Sequence, residues 1–249
     1  MFSIRLADNN FIIKNKYDHV YDLCKKYYSN DNSGIMISVT EDEILREQTG
    51  KSSLAYLESI AIHRKIAEYL IGDSTLLFHG SAVAVENKAY IFTAPSGTGK
   101  STHARLWREI FGQRAVMIND DKPLLRITAS GVIVYGTPWD GRHHISTNTS
   151  APLAAICILQ RSETNSIEPI TQSDALPVLI QQTYRPSDGA ALKQTLSLVE
   201  RLGNRVKLYR LSCNMEPEAA QIAYRGMNNE QITSERNSQN EIKERIYHP

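Results

Sequence analysis

Hydrophobic residues recur along this chain with two different periods, and these periods divide it into predicted elements. The segment from Ser52 to Ile71, SSLAYLESIAIHRKIAEYLI, has apolar residues three and four apart after a serine, which predicts a long amphipathic helix. Before it, FSIRLADNNFIIKNK predicts two short strands around a turn at Asn9 and Asn10, YDHVYDLCKKYY a helix, and GIMISVT a third strand. Residues 1–50 are therefore predicted to form a small α+β extension.

After this helix, strand patterns outnumber helix patterns. LLFHGSAVAV and AYIFTAP predict two strands joined by the turn ENK, and a helix is predicted from Lys100 to Phe111. The strands AVMIND, PLLRI, VIVYGTP, AAICILQ and VKLYRL follow, with two helices at about 173–183 and 187–202 and a last helix starting near Met215. Because short turns join many of the strands, the pattern predicts an α/β class with a mixed, hairpin-rich sheet and flanking helices over residues 51–227.

Composition and charge narrow the class of protein. The 249 residues are 41% hydrophobic and 22% charged, with a formal net charge of +1, which gives no general attraction for nucleic acid. The amino terminus has no signal-peptide pattern and the longest apolar run, APLAAICIL, is too short to span a bilayer, so we expect a cytoplasmic protein without a membrane partner. The three cysteines are predicted to be unpaired thiols. The polar tail, residues 228–249, is predicted to be disordered or a solvated helix.

The segment APSGTGKS, Ala94 to Ser101, lies directly between a predicted strand and a predicted helix, which is the context of a phosphate-binding loop. Glycines allow several backbone N–H groups to point at phosphate oxygens, and the helix amino terminus adds its dipole. The strict pattern has glycine where this chain has Ala94. The segment predicts a nucleotide site in which Lys100 reaches the β and γ phosphates and Ser101 binds Mg²⁺. The predicted nucleotide-binding residues are Ser96, Gly97, Thr98, Gly99, Lys100, Ser101 and Thr102.

A nucleotide loop also needs a carboxylate for Mg²⁺, commonly at the end of a neighbouring strand. AVMINDD supplies two, Asp120 and Asp121, of which one could hold the metal and the other accept a proton from an attacking hydroxyl. If the strand continued through both, their side chains would point to opposite faces. Only a turn after Asn119 would let both face the phosphates, and the alternative for Asp121 is a structural role in that turn.

The order of FHGSAVAV, SGTGKST, NDD and VYGTP resembles the C-terminal catalytic domain of HPr kinase/phosphorylase, in the same superfamily as phosphoenolpyruvate carboxykinase. The resemblance covers roughly Leu76 to Arg161. It also extends to the short HPr-kinase-like enzymes of peptide-modification pathways, including those of lasso peptides. It implies that residues 96–101 hold the triphosphate of ATP and that Ser101 with Asp120 or Asp121 binds Mg²⁺. The metal ligand is assigned first to Asp120, and the remaining carboxylate would be the general base, with His79 beside it.

The segment WDGRHHISTNTS departs from the Arg-Gly-x-Gly signature that the family links to phosphorylase activity, so we expect poor reversal of the reaction. Arg142 is a candidate catalytic residue because its guanidinium could stabilise charge on the transferring phosphoryl group. His143 or His144 could contact substrate, although a solvated turn is the alternative for this run. Arg185, in QQTYRP, is a weaker candidate for phosphate or substrate binding.

Together these features predict an ATP- and Mg²⁺-dependent kinase that phosphorylates a hydroxyl, with a serine of a small protein or peptide as the favoured acceptor. A small-molecule kinase is the first alternative, because nothing in the sequence identifies the acceptor. A non-catalytic ATP-sensing adaptor is the second, and the adjacent carboxylates argue against it because a sensor needs no base. The sequence leaves open whether the chain forms a homo-oligomer.

Overall fold

The computed structural model describes residues 1–141 and 143–228. Within them the chain forms a three-stranded sheet and a nine-stranded sheet with flanking helices. The strands are β1 (Phe2–Leu6), β2 (Asn9–Lys14), β3 (Ile35–Ser38), β4 (Thr75–Leu77), β5 (Ser81–Val85), β6 (Lys88–Thr93), β7 (Ala115–Asn119), β8 (Leu124–Ile127), β9 (Val132–Tyr135), β10 (Ser150–Arg161), β11 (Ser166–Pro169) and β12 (Lys207–Cys213). The helices are α1 (Asp18–Leu23), α2 (Glu41–Leu45), α3 (Leu54–Ile71), α4 (Lys100–Phe111), α5 (Gln172–Gln182), α6 (Gly189–Arg205) and α7 (Pro217–Met227). A 3₁₀ turn follows α1 at Lys25–Tyr27, and another follows α4 at Gly112–Arg114.

The amino-terminal sheet has the order β1-β2-β3, with β1 and β2 antiparallel and β2 and β3 parallel. The prediction of a turn at Asn9 and Asn10 is wrong by two residues. The hairpin turns at Ala7 and Asp8, whose φ angles are +44° and +61°, and Leu6 pairs with Asn9. Two consecutive residues with positive φ match the twist of the flanking strands, so both asparagines lie in β2 instead.

Helix α3 is the long helix that the apolar spacing predicts. Ser53 begins it by accepting a hydrogen bond from the backbone N–H of Tyr56 at 3.3 Å. Its apolar face buries Ile62, Ile66 and Leu70 in a core that contains residues of both sheets. The amino-terminal sheet and the nine-stranded sheet are therefore joined by one continuous hydrophobic core, and the boundary at residue 50 stays a prediction.

The nine-stranded sheet confirms the predicted mixed, hairpin-rich α/β class. Its main path is β4-β8-β9-β10-β6-β5-β7, and β12 pairs with both β10 and β11. The long strand β10 changes partners along its length. Its first residues, 150–152, pair antiparallel with β9, whereas later residues pair parallel with β6 and β12. The carboxyl ends of β6 and β10 therefore meet at one edge, where the loop before α4 begins.

LLFHGSAVAV, predicted as one strand, is two strands in different parts of the sheet, so that prediction is wrong. β4 pairs with β8, whereas β5 pairs with β6 and β7. Between them the backbone N–H groups of Phe78, His79 and Gly80 donate to the carbonyl oxygens of Pro123, Gln182 and Asp121 at 3.1, 2.7 and 3.1 Å. These single bonds to two segments, the β7–β8 connection and the end of α5, replace a continuous ladder at the break that contains His79.

The remaining elements follow the predicted pattern with local differences. α4 has the predicted bounds, α5 and α6 lie close to theirs, and the short elements α2 and β11 were not predicted. The three cysteines are free thiols, as predicted. Within residues 1–141 and 143–228, no helix has both the length and the apolar character needed to cross a membrane. The predicted character of the tail concerns residues 229–249, which lie outside the described residues.

Candidate functional site

The loop between β6 and α4 has the backbone geometry of an anion site. Gly97 and Gly99 have φ angles of +79° and +119°, and Gly99 caps the amino end of α4. An added Cβ at either position would meet no heavy atom within 4 Å. The requirement for glycine is therefore conformational and not steric, since side-chain-bearing residues rarely adopt these φ values. The loop curls so that the helix amino terminus faces a cavity.

Lys100, the first residue of α4, is nearly buried beneath this loop, with 8% of its surface exposed. Its ammonium donates to the carbonyl oxygens of Ala94 at 3.0 Å and Pro95 at 3.4 Å. Burial lowers the pKa of Lys100, and the neighbouring carboxylates of Asp121 and Asp120 partly oppose this effect. The loop carbonyl groups thus position the ammonium without neutralising its charge, which a phosphate would do.

Asp120 lies across the cavity from the loop and is 6% exposed. Its Oδ1 accepts a hydrogen bond from Ser81 Oγ at 2.8 Å, and the hydroxyl of Ser101 lies close enough to lower the pKa of this carboxylate. Burial raises the pKa of Asp120, although the two serine hydroxyls and the charge of His143 act in the opposite direction. Ser101 at the start of α4 and Asp120 at the end of β7 therefore bring two oxygen ligands together.

A turn after β7 places both carboxylates in one cavity. Asn119 Oδ1 accepts hydrogen bonds from the backbone N–H groups of Asp121 and Lys122 at 2.8 and 2.6 Å. The amide of Asn119 donates to the carbonyl oxygen of Thr137 at 3.1 Å, which fixes the side chain in the core. This Asx turn ends the strand. The side chains of the two adjacent aspartates therefore do not point to opposite faces, as they would in a continuous strand.

Asp121 lies between the imidazole of His79 and the ammonium of Lys122. His79 Nε2 lies 3.3 Å from its Oδ1, and Lys122 Nζ lies 3.6 Å from the same oxygen. Burial raises the pKa of Asp121, but the hydrogen bond from His79 and the charge of Lys122 outweigh burial, so the pKa lies below its ordinary value. The two carboxylates therefore differ: the pKa of Asp121 lies below its ordinary value, whereas the pKa of Asp120 lies above it.

These groups surround a cavity of about 510 Å³, called here the phosphate cavity. Its lining residues are His79, Ser96, Gly97, Gly99, Lys100, Ser101, Thr102, Asp120, Asp121, Gly141 and His143. Of the predicted site residues, those in the phosphate-binding loop, both aspartates and His79 come together here, with Thr98 excepted. Thr98 instead lines the neighbouring cavity described below. The catalytic and binding roles of these residues stay predictions.

The segment between β9 and β10, called the site loop (residues 136–141 and 143–149), closes the phosphate cavity on one side. Trp139 Nε1 donates to the carbonyl oxygen of Ser59 on α3 at 3.1 Å. Buried Asp140 accepts hydrogen bonds from the N–H and Oγ of Ser146 at 3.0 and 2.5 Å, and its Oδ1 lies 2.9 Å from His144 Nδ1. The loop is therefore a folded unit and not an open turn.

The site loop directs its two histidines differently. His143 lines the phosphate cavity, whereas His144, paired with Asp140, lines a separate cavity against the amino-terminal segment. Arg142, predicted to be catalytic, lies outside the described residues. Arg185 donates to the carbonyl oxygens of Ile180 and Gln181 at 2.7 and 3.1 Å at the end of α5 and does not line the phosphate cavity.

Three residues at the site were not predicted. Ser81 positions Asp120, Lys122 contacts Asp121, and Arg161 donates to the carbonyl oxygens of Gly97 and Thr98 at 2.5 and 3.5 Å. Ser81 could have been predicted as a site residue. In the strand that the sequence predicts through His79 and Ser81, side chains two residues apart point to the same face. No local sequence pattern predicts the contacts of Arg161 with the loop, because they depend on β10 lying beside β6.

A second cavity of about 470 Å³ lies on the other side of the phosphate-binding loop. It shares Gly97, Gly99 and Thr102 with the phosphate cavity, so the loop forms a wall of both cavities. Its walls combine apolar and polar side chains, among them Leu106, Leu159, Met215, Glu163 and Asn214.

The oxygen ligands of the phosphate cavity suit a hard divalent cation. Ser101 and Asp120 offer a hydroxyl and a carboxylate side by side. Within the part of the chain that the structure describes, no group of three or more histidine, cysteine, aspartate and glutamate side chains could hold a metal ion. Mg²⁺ fits this donor set, because it is commonly held by one or two carboxylates together with phosphate oxygens.

Neither a protein-family model nor a curated protein sequence matches the chain. A solved structure with similarity to it is the HPr(Ser) kinase/phosphatase from Coxiella burnetii, at 9% sequence identity and a TM-score of 0.35. The match covers 62% of this chain and 95% of that one. A likeness of this size does not show a shared activity or a shared ligand, so the function must be argued from the cavity itself.

Proposed function

We propose that this protein is an ATP- and Mg²⁺-dependent kinase that transfers the γ-phosphoryl group to a serine hydroxyl of a small protein or peptide. The observation that carries the proposal is the convergence of Lys100, Ser101, Asp120 and Asp121 on one cavity. A phosphate-binding loop alone would suit any nucleotide-binding protein. A second carboxylate, ionised and beside a histidine, adds what phosphoryl transfer to a hydroxyl requires.

The two cavities that share this loop as a wall support a nucleotide as the ligand. The triphosphate would lie in the phosphate cavity against Lys100 and the start of α4, and the nucleoside would lie across Gly97 and Gly99 in the second cavity. There the apolar side chains of Leu106 and Leu159 offer a surface for a base. Arg161 would hold the loop between the two parts by its bonds to loop carbonyl groups.

The two aspartates would have different roles. Ser101 and Asp120 would hold Mg²⁺, which when bound neutralises charge on the phosphates and opposes the protonation that burial of Asp120 favours. Asp121 would accept the hydrogen bond of the acceptor hydroxyl, oriented by His79 at 3.3 Å. Its low pKa makes it a weak base, which fits a loose transition state in which the hydroxyl proton leaves late and orientation matters most.

Calorimetric titration of Mg·ATP, with transfer of labelled γ-phosphate to serine-containing peptides, tests the proposal on Asp120→Asn and Asp121→Asn. The Asp120 variant should lose Mg·ATP affinity as well as transfer. The Asp121 variant should bind Mg·ATP normally and transfer about 10²- to 10⁴-fold more slowly. Asp42→Asn, an exposed aspartate on α2, is the matched control.

The outcomes separate the rival functions. Mg·ATP binding by the wild type without transfer to any peptide or small alcohol would indicate a sensor. Transfer to small alcohols but to no peptide would indicate a small-molecule kinase. Normal binding and normal transfer by both asparagine variants would exclude the proposed division of roles.

A further inference from the structure

A third cavity, of about 400 Å³, lies between the amino-terminal segment and the site loop. It is lined from α1 and the following 3₁₀ turn by His19, Asp22, Lys25 and Lys26, and from the site loop by Pro138 and His144. We call it the lead-in groove. The phosphoryl transfer proposed for the phosphate cavity does not involve the lead-in groove.

The lead-in groove and the phosphate cavity are formed by neighbouring residues of the same loop. His143 lines the phosphate cavity and His144 lines the lead-in groove. The same loop thus lies between the groove and Asp121, and an acceptor peptide in the groove would pass along this loop to bring a hydroxyl to Asp121.

Side-chain contacts hold the site loop beside the groove. Asp140 binds Ser146 through its N–H and Oγ, and it orients His144, of which 70% of the side chain is exposed. The carboxylate of Asp140 is itself only 5% exposed. Asp140 also lines the groove, but its carboxylate accepts hydrogen bonds from Ser146 and contacts His144, so little of it is accessible to a ligand.

The exposed charge of the groove is mainly positive. Lys26 Nζ donates to the carbonyl oxygen of Ser146 at 3.3 Å and forms no ion pair with a carboxylate of the described residues. Lys25 pairs with Asp22 at 2.8 Å, but both side chains are more than half exposed, so this pair is weak and can exchange partners. With Asp140 satisfied internally, two ammonium groups face one accessible carboxylate.

We propose that the lead-in groove binds an acidic segment of the phosphoryl acceptor, a few residues from the serine that is phosphorylated. The inference rests on the proposed kinase function and adds the acceptor's chemistry to it. Carboxylates of the segment would pair with Lys26 and, by exchange, with Lys25. The site loop would then serve as the wall over which the acceptor passes into the phosphate cavity.

The test uses the full chain and two fluorescein-labelled serine peptides that are identical except for two glutamates or two lysines placed three and four residues from the serine. Peptide binding is measured by anisotropy and transfer by labelled ATP. The wild type should prefer the glutamate peptide in both measurements, and Lys25→Glu/Lys26→Glu should weaken its binding about tenfold or more and favour the lysine peptide. The control Lys193→Glu reverses an exposed charge on α6 and should bind and transfer like the wild type.

The affinity of each variant for Mg·ATP reports whether the phosphate cavity is intact, which separates misfolding from loss of the groove. Charge-dependent binding of the glutamate peptide without transfer would support the groove and contradict the kinase. Transfer that ignores both the peptide's charge and the Lys25→Glu/Lys26→Glu reversal would support the kinase and overturn the groove. Equal binding of the two peptides by the wild type would also overturn it.

Discussion

The phosphate-binding loop and the site loop face the same cavity but are built in different ways. The first is fixed by its own sequence: Gly97 and Gly99 adopt positive φ angles and the following helix begins at Lys100. The second is fixed from outside, because Trp139 is bonded to α3 and Asp140 organises the residues after it. A local motif gives a rigid anion site, whereas a loop held by tertiary contacts can link that site to other surfaces.

The positions of the two carboxylates depend both on local sequence and on tertiary contacts. Asp120 and Asp121 follow a strand that the sequence predicts, but the turn that brings them together depends on Asn119 bonding to Thr137 in the site loop segment. The pKa of Asp121 is lowered by His79 from another segment. The site's chemistry thus arises where the locally determined loop meets residues positioned by tertiary structure.

Substitution of Lys100 should produce the largest effect on function and the smallest on folding. Lys100→Ala removes the ammonium that would neutralise charge on the transferring phosphate, so transfer should fall by about 10³-fold. Loss of its bonds to the carbonyl oxygens of Ala94 and Pro95 is offset by relief of the cost of burying the ammonium, so the free energy of unfolding should change little. Transfer and chemical unfolding are measured beside the exposed control Lys193→Ala. Unchanged transfer would contradict the role of this loop.

The fold and the site were predictable to the extent that their signals are local. The mixed sheet and α4 follow from strand patterns, a strand-loop-helix motif and short turns. The split of LLFHGSAVAV was missed, because its two halves are both apolar and only the pairing of β4 with β8 separates them. Periodicity reports burial, and it does not report which strand is the partner.

The same limit applies to the candidate site, because local sequence patterns do not report tertiary contacts. His79 and both aspartates lie in the phosphate cavity, where the motif order implied, but the sequence could not supply the Asx turn, the contact of Lys122 or the bonds of Arg161 to the loop. His143 and His144 are adjacent in sequence but line different cavities, because Asp140 contacts His144 and holds it in the lead-in groove.

Substitution of Asp140 should affect stability more than nucleotide binding, which is the reverse of what we expect for Lys100. Asp140→Ala leaves the buried N–H of Ser146 without its acceptor, leaves the Ser146 hydroxyl only the longer bond to the carbonyl oxygen of Thr137 at 3.3 Å, and frees His144, so the free energy of unfolding should fall by about 3 kcal/mol. Asp140→Asn retains an acceptor oxygen and should lose less. Mg·ATP affinity should stay near normal in both, as measured by calorimetry. A larger loss of nucleotide affinity than of stability would show that the two loops are not built independently.

The contact of the site loop with α3 provides a smaller, pH-dependent test. The ring of His63 on α3 stacks on Trp139 with centroids 4.0 Å apart and an interplanar angle of 2°, and its Nε2 is buried without a partner among the described residues. Burial, helped by Lys122 and opposed by Asp121, lowers the pKa of His63 from 6.5 to about 3.

Because this pKa is depressed in the folded state, the unfolded chain gains a proton below pH 6.5 that the folded chain does not, so stability falls as the pH drops from 6.5 towards 3. His63→Phe keeps an aromatic ring on Trp139 but cannot titrate. Between pH 7 and pH 5 it should therefore lose about 2 kcal/mol less of the free energy of unfolding than the wild type does. Urea unfolding at both pH values measures this difference, and His19→Phe, at an exposed position, should behave like the wild type. An equal loss in the wild type and His63→Phe would mean that the imidazole reaches water, and that the anchor of the site loop on α3 is looser than the stacked geometry indicates.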